Sequence, residues 1–161
     1  MIPTHLANRV RLMGDMIEAA RQSGVKFILT TAHVSAAQGR NTEFARMYQE
    51  VEHLLRGSNI PYCVLFTEVF MDVHLTDAAN VKRTSSFYYT MKPDVKFNPI
   101  ALQDVAEIAA RILLHPGPHQ GKRYCLTGPA SISMTDIATV YSNVRASSSF
   151  IFIASLLLRG P

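Results

Sequence analysis

The chain has 161 residues, 48% apolar and 17% charged, the balance of one folded domain rather than of a disordered or collagen-like polypeptide. Its formal net charge is +4, but the basic residues are scattered as Arg9 and Arg11, Lys82 and Arg83, and Lys122 and Arg123. With no long run of like charge and no interleaved aromatics, a nucleic-acid partner is not expected. No segment approaches the roughly 20 apolar residues that span a bilayer. The N-terminus has no charged region followed by an apolar stretch, so no signal peptide is read and the expected location is the cytoplasm.

Apolar residues at Leu6, Val10, Met13, Ile17 and Ala20 have helical spacing, and Gly24 suits the left-handed residue that follows a helix. Residues 25–31, Val-Lys-Phe-Ile-Leu-Thr-Thr, read as a strand covered on both faces, and 32–41 as a small, polar loop. A second helix is expected over 42–56 with Phe44, Tyr48, Val51 and Leu55 on one stripe. Residues 62–66, Tyr-Cys-Val-Leu-Phe, form the next buried strand. Residues 67–75 read as a strand exit with a short helix, and 76–95 as less regular, with an edge strand or flexible loop at 85–89. After an extended stretch at 96–102, Val105, Ile108, Ala109, Ile112 and Leu113 mark a third helix, stopped by His115-Pro116-Gly117-Pro118. Residues 124–127 read as a strand. Ser133 and Asp136 have the spacing of a capping box that opens a fourth helix. Strands alternating with helices imply parallel crossovers.

Cys63 and Cys125 sit in short apolar runs and read as buried thiols of a reducing compartment rather than a disulfide. No zinc spacing is present. Although His115 and His119 are four apart, the Pro-Gly-Pro between them forbids the helix that would align them on a metal.

Several stretches carry a resemblance in order: Ala19-Ala20 with Gly24-Val25-Lys26-Phe27, Phe44-Ala45-Arg46, Glu50-Val51-Glu52, Ile60-Pro61-Tyr62, Phe70-Met71-Asp72, Asp104-Val105-Ala106-Glu107, and Gly121-Lys122 through Tyr124, Leu126, Thr127, Gly128 and Pro129. Together the chain resembles the C-terminal portion of the NmrA-like group of atypical short-chain dehydrogenases/reductases. The resemblance implies an α/β fold of the doubly wound, parallel-sheet Rossmann type, incomplete because the N-terminal glycine-rich βαβ units are lacking. In that fold the glycines let the backbone approach the cofactor pyrophosphate at a helix N-terminus. The eight glycines here are isolated and form no such motif. The expected organisation is residues 1–144 as the C-terminal part of an NAD(P)-binding domain with a small substrate lobe. Residues 145–161 are expected to be an unstructured or aberrant tail that matches nothing in the pattern. The two ends together point to a partial gene model, a splice variant or a retained intron; transcript sequencing that found both ends authentic would remove that expectation.

The implied activity is NAD(P)H-dependent reduction of quinones or carbonyls, with NADP or NAD as cofactor and a small-molecule substrate. The alternatives are a noncatalytic NAD(P)H sensor with a regulatory protein partner, or a truncated form that binds no cofactor and oligomerises through an exposed sheet edge. Counting back from Glu52 puts Phe44 and Tyr48 at the positions of the reductase Tyr-x-x-x-Lys pair, so no catalytic residue is assigned. Ligands lie at the carboxyl ends of parallel strands. The candidate cofactor contacts are therefore Thr31, Ala32, Tyr48, Thr67, Glu68, Val69 and Phe70, and His33 is the candidate substrate contact. Each also has a plain reading: the threonines as partners of strand-end backbone groups, Tyr48 as a rim aromatic, His33 as a solvated loop residue.

Overall fold

A computed structural model describes residues 8–89, 91–145 and 152–155, residues 145 and 152–155 by their backbone alone. The chain divides into two compact units, the first built from residues up to Glu68 together with 103–126, the second from 69–102 with the residues from Thr127 on.

In the first unit, helix α1 (Arg9–Gln22) ends in a Schellman turn. Gly24 has φ +70°, its N–H bonds Arg21 O, and the Val25 N–H bonds Ala20 O, the pairing that such a turn requires. Because Val25 is consumed by the turn, the first strand starts later than the apolar run. The Ile28 N–H is the first to reach a neighbouring strand, at Pro61 O. Strand β1 is Ile28–His33, followed at once by the short helix α2, Val34–Ala37. The expected loop over 32–41 is corrected accordingly: Ala32 lies within the strand and His33 ends it. Helix α3 (Glu43–Gly57) is capped by the Thr42 side chain, which accepts from the Ala45 N–H at 3.1 Å. Strand β2 is Tyr62–Thr67.

β1 and β2 are parallel, Ile28 opposite Tyr62 through His33 opposite Thr67. After helix α4, Val73–Thr84, and strand β3, Ser86–Tyr89, both of the second unit, the chain returns to the first unit in α5, Leu102–Leu114, and in strand β4, Arg123–Cys125. β4 pairs in parallel with β2, so the sheet order is β1-β2-β4. In β2 every residue from Cys63 to Thr67 is buried, as expected of a central parallel strand. On one face, Ile17 of α1 packs with Val51 and Leu55 of α3, and with Ile28 and Tyr62 of the sheet. Cys63 is buried, but Cys125 is exposed, against the expectation for both thiols, because β4 is a short edge strand.

The second unit contains α4, β3, helix α6 (Met134–Arg145) and strand β5 (Phe152–Ser155), which pairs in parallel with β3. Its core gathers Val81, Phe87, Phe97, Met134, Ile137 and Ala138. Helix α4 takes up residues 76–84 of the stretch expected to be less regular over 76–95, and β3 forms where an edge strand or flexible loop is expected. It buries only Val81, so it shows little apolar periodicity, and side chains secure its end: Asn80 Nδ2 donates to Ser86 O at 2.9 Å and Thr84 Oγ1 to Asn80 O at 2.9 Å. The capping box forms with aspartate. The Ser133 N–H donates to Asp136 Oδ2 at 2.8 Å and the Asp136 N–H to Ser133 Oγ at 3.2 Å. Lys96 also pairs with Asp136, and these contacts lower its carboxyl to about 2, the Lys96 bond first. The tail expected to be unstructured contributes β5; its residues 146–151 and 156–161 lie outside the described residues. Among the described residues no helix is long and apolar enough to cross a membrane.

Candidate functional site

The site builds from the carboxyl ends of β1 and β2. Side chains alternate across a strand, so Thr31 and His33 of β1 share a face, and His33 pairs with Thr67 of β2. Thr31 is exposed and Thr67 is buried. Glu68 follows Thr67 directly and its charge acts on His33.

His33 is not a solvated loop residue. It is half-buried and caps α2: its Nδ1 accepts from the Ser35 N–H at 3.2 Å and lies 2.8 Å from Ser35 Oγ. A nitrogen that accepts a backbone N–H carries no proton, which assigns the proton of the neutral ring to Nε2. Burial holds the His33 pKa below its ordinary value, with Glu68 opposing and Arg40 reinforcing the shift.

An aromatic row runs from there along α3. The His33 ring meets Phe44 edge-on at 5.2 Å, and Phe44 meets Tyr48 edge-on at 5.1 Å. Phe44 is 38% exposed, so the buried stripe of α3 is turned from the expected one to Ala45, Met47, Val51, Glu52 and Leu55. Arg9 donates to Tyr48 Oη at 2.8 Å, with its guanidinium carbon 5.6 Å from the ring centre. No sequence motif joins positions 9 and 48, and Arg9 reads from sequence as one of several scattered basic residues. Ala32 lies in the apolar cluster of Ala36, Val64 and Phe66, against which Tyr48 packs.

A cavity of about 470 Å³ opens between α1, α3 and β1, with Arg9, Thr30, Thr31 and Tyr48 as its polar lining. Val69 and Phe70 fall in the second unit. There Val69 O accepts from the Ile100 N–H at 3.0 Å, and Phe70 bridges to Ile100. Among the described residues no three of His, Cys, Asp and Glu come together to hold a metal. Sequence reasoning also missed Glu52, which is buried and pairs with both Arg56 at 2.9 Å and Arg123 at 3.2 Å, tying α3 to β4.

The parallel sheet with covering helices is an α/β domain of the Rossmann type, and the comparisons agree. No protein-family model matches the chain. It is 25% identical over 135 residues to an NAD(P)H azoreductase of Xenophilus azovorans, covering 84% of this chain and 46% of that protein. It is 30% identical over 124 residues to quinone oxidoreductase 2 of Escherichia coli, covering 77% of this chain and 42% of that protein. The structure superposes on an E. coli NADPH-dependent quinone oxidoreductase complexed with NADPH with a TM-score of 0.81 and 25% identity, over 96% of this chain and 53% of that one. The chain spans about half the length of the relatives it matches.

Proposed function

We propose that this chain serves an NmrA-like, NAD(P)H-dependent oxidoreductase acting on a quinone or another small carbonyl compound, and that it supplies the nicotinamide and substrate side of the site. The observation that carries this reading is the neutral, capped His33 between Thr31 and Thr67 at the carboxyl ends of two parallel strands, where ligands of open α/β sheets bind. Sequence likeness to an NAD(P)H azoreductase and to a quinone oxidoreductase supports the reaction class.

The donor set suits a nicotinamide. Threonine hydroxyls can meet its carboxamide and ribose, and Glu68 is within electrostatic reach of the same end of the sheet. Tyr48 of α3 packs on the cluster that holds Ala32, behind these groups. The bound cofactor would supply the hydride. His33 Nε2–H is a donor this chain can offer to a substrate oxygen, its proton placed on Nε2 because Nδ1 accepts from the Ser35 N–H. NADP and NAD are equally compatible with these residues.

A noncatalytic sensor is the second reading. Phe44 stands where such reductases carry the tyrosine and cannot exchange a proton. Titration of the isotope-labelled chain with NADPH, followed by amide NMR, should perturb Thr31, His33, Thr67 and Glu68 first. Oxidation of NADPH in the presence of menadione assigns the enzyme; binding without oxidation assigns the sensor. Perturbations confined to residues far from these strand ends would remove both readings.

A further inference from the structure

We infer that Arg40 is a specificity-determining residue, which selects among small quinones or carbonyl compounds those that carry a carboxylate group. This rests on the reading of His33 as the donor to the substrate oxygen.

Arg40 and His33 are tied to the same residue from opposite ends. The His33 ring accepts from the Ser35 N–H at 3.2 Å, and the Arg40 N–H donates to the Ser35 carbonyl at 3.1 Å. The second bond belongs to a Schellman turn. Gly39, at φ +64°, supplies its companion by donating to Ala36 O at 3.3 Å. Helix α2 has only four residues. Backbone bonds therefore hold His33 and Arg40 at the two ends of about one helical turn.

The Arg40 side chain is exposed, and its Nε donates to Gln38 Oε1 at 2.9 Å. That bond steadies the guanidinium by its inner nitrogen and leaves the terminal pair for a partner. Such a fork meets a carboxylate with two parallel hydrogen bonds. Arg11, Arg21, Arg56, Arg111 and Arg123 each pair with an aspartate or glutamate of the chain. Among the described residues no carboxylate pairs with Arg40.

The Arg40 charge reaches the His33 ring. So does the charge of Glu68, with the opposite sign and the greater weight. Glu68 comes from the end of β2 and Arg40 from the end of α2, so His33 stands between unlike charges. That polarity orients a substrate whose oxygen takes the His33 Nε2–H: a carboxylate tail lies toward Arg40 and away from Glu68. Charge complementarity of this kind governs which ligand is chosen more than how tightly it binds.

The test titrates the isotope-labelled whole chain and follows its backbone N–H signals by NMR, with oxidised NADP present so that nothing is reduced. The probes are two fully substituted benzoquinones, to which no thiol adds. One carries methyl groups and a propanoate tail; the other carries the same tail as its methylamide. Both should perturb His33 and Thr67, and the propanoate alone should also perturb Gly39, Arg40 and Asn41. The propanoate should bind about fivefold more tightly than the methylamide at low salt, the scale of one exposed ion pair. The preference should shrink at about 1 M salt. Arg40→Gln keeps the backbone bonds of the turn and should melt as the wild type does, but bring the two affinities level. Arg40→Glu should invert their order. Equal affinities in the wild type, a preference that survives Arg40→Gln, or a propanoate response at Lys122 or Arg123 instead overturns the proposal. If the methylamide still perturbs His33 and Thr67 in that event, the His33 reading stands and only Arg40 is removed. Silence of His33 and Thr67 with both probes removes both.

Discussion

Protonating His33 would remove the lone pair that Nδ1 offers to the Ser35 N–H, so its charge state and the start of α2 are linked. Burial lowers its folded-state pKa beneath the ordinary 6.5. The unfolded chain therefore binds the proton more readily, and stability is fully present above about 6.5 and is lost as pH falls from there through the lowered value. Urea unfolding at pH 7.5 and 5 should show this loss in the wild type. His33→Asn keeps a capping side chain and should show less of it; an unchanged pH dependence in that variant would place the effect elsewhere. Gly128 is a second single-residue constraint. A Cβ there would lie 2.0 Å from Pro99 O and 3.3 Å from Met71 Cε. Because the obstacle is backbone, Gly128→Ala should destabilise the chain by about 1–3 kcal/mol, read from chemical denaturation; an unaffected midpoint would show that the turn yields freely. The sequence around Gly128 carries no sign of Pro99, because that approach is made across 29 positions of chain.

At the scale of elements, legibility followed how completely a segment is buried. β2 is buried from Cys63 to Thr67 and apolar up to Phe66, so its limits are readable to within one residue. α4 exposes most of its length, so its sequence reads as irregular. In α3 the apolar spacing placed the helix but not its face, because buried Glu52 counts against a core position in any hydrophobic pattern. Glu52 is instead a tie between α3 and β4 through Arg56 and Arg123. Arg123 also lies over the Phe66 ring at 4.9 Å. Glu52→Gln should lower stability, but the two arginine side chains are 61% and 43% exposed and hydrate when the carboxylate is gone. The expected loss is about 1–2 kcal/mol, short of the roughly 3–5 kcal/mol of breaking a fully buried pair. A double-mutant cycle with Arg123→Met checks the assignment: additive effects would mean that the pair contributes nothing of its own.

For the molecule as a whole, the sequence carries the fold class, but not the strand at 152–155, whose pairing with β3 is made across more than 60 positions of chain. On the proposed function, the strand-end residues would meet the nicotinamide and its ribose, while the isolated glycines of this sequence would offer the adenylate half no cradle of backbone N–H groups. Reduced nicotinamide mononucleotide should therefore stabilise the chain as well as NADPH does at equal occupancy. Ligand at 100 times its dissociation constant adds about 2.7 kcal/mol, and a chain of this size gains roughly 2–4 °C per kcal/mol, so saturation should raise the melting temperature by roughly 5–10 °C with either compound. A rise with NADPH alone would mean that the adenylate half is held by this chain, and the assignment of Thr31, Thr67 and Glu68 as the principal contacts would fail. No rise with either would remove the cofactor from this chain's function.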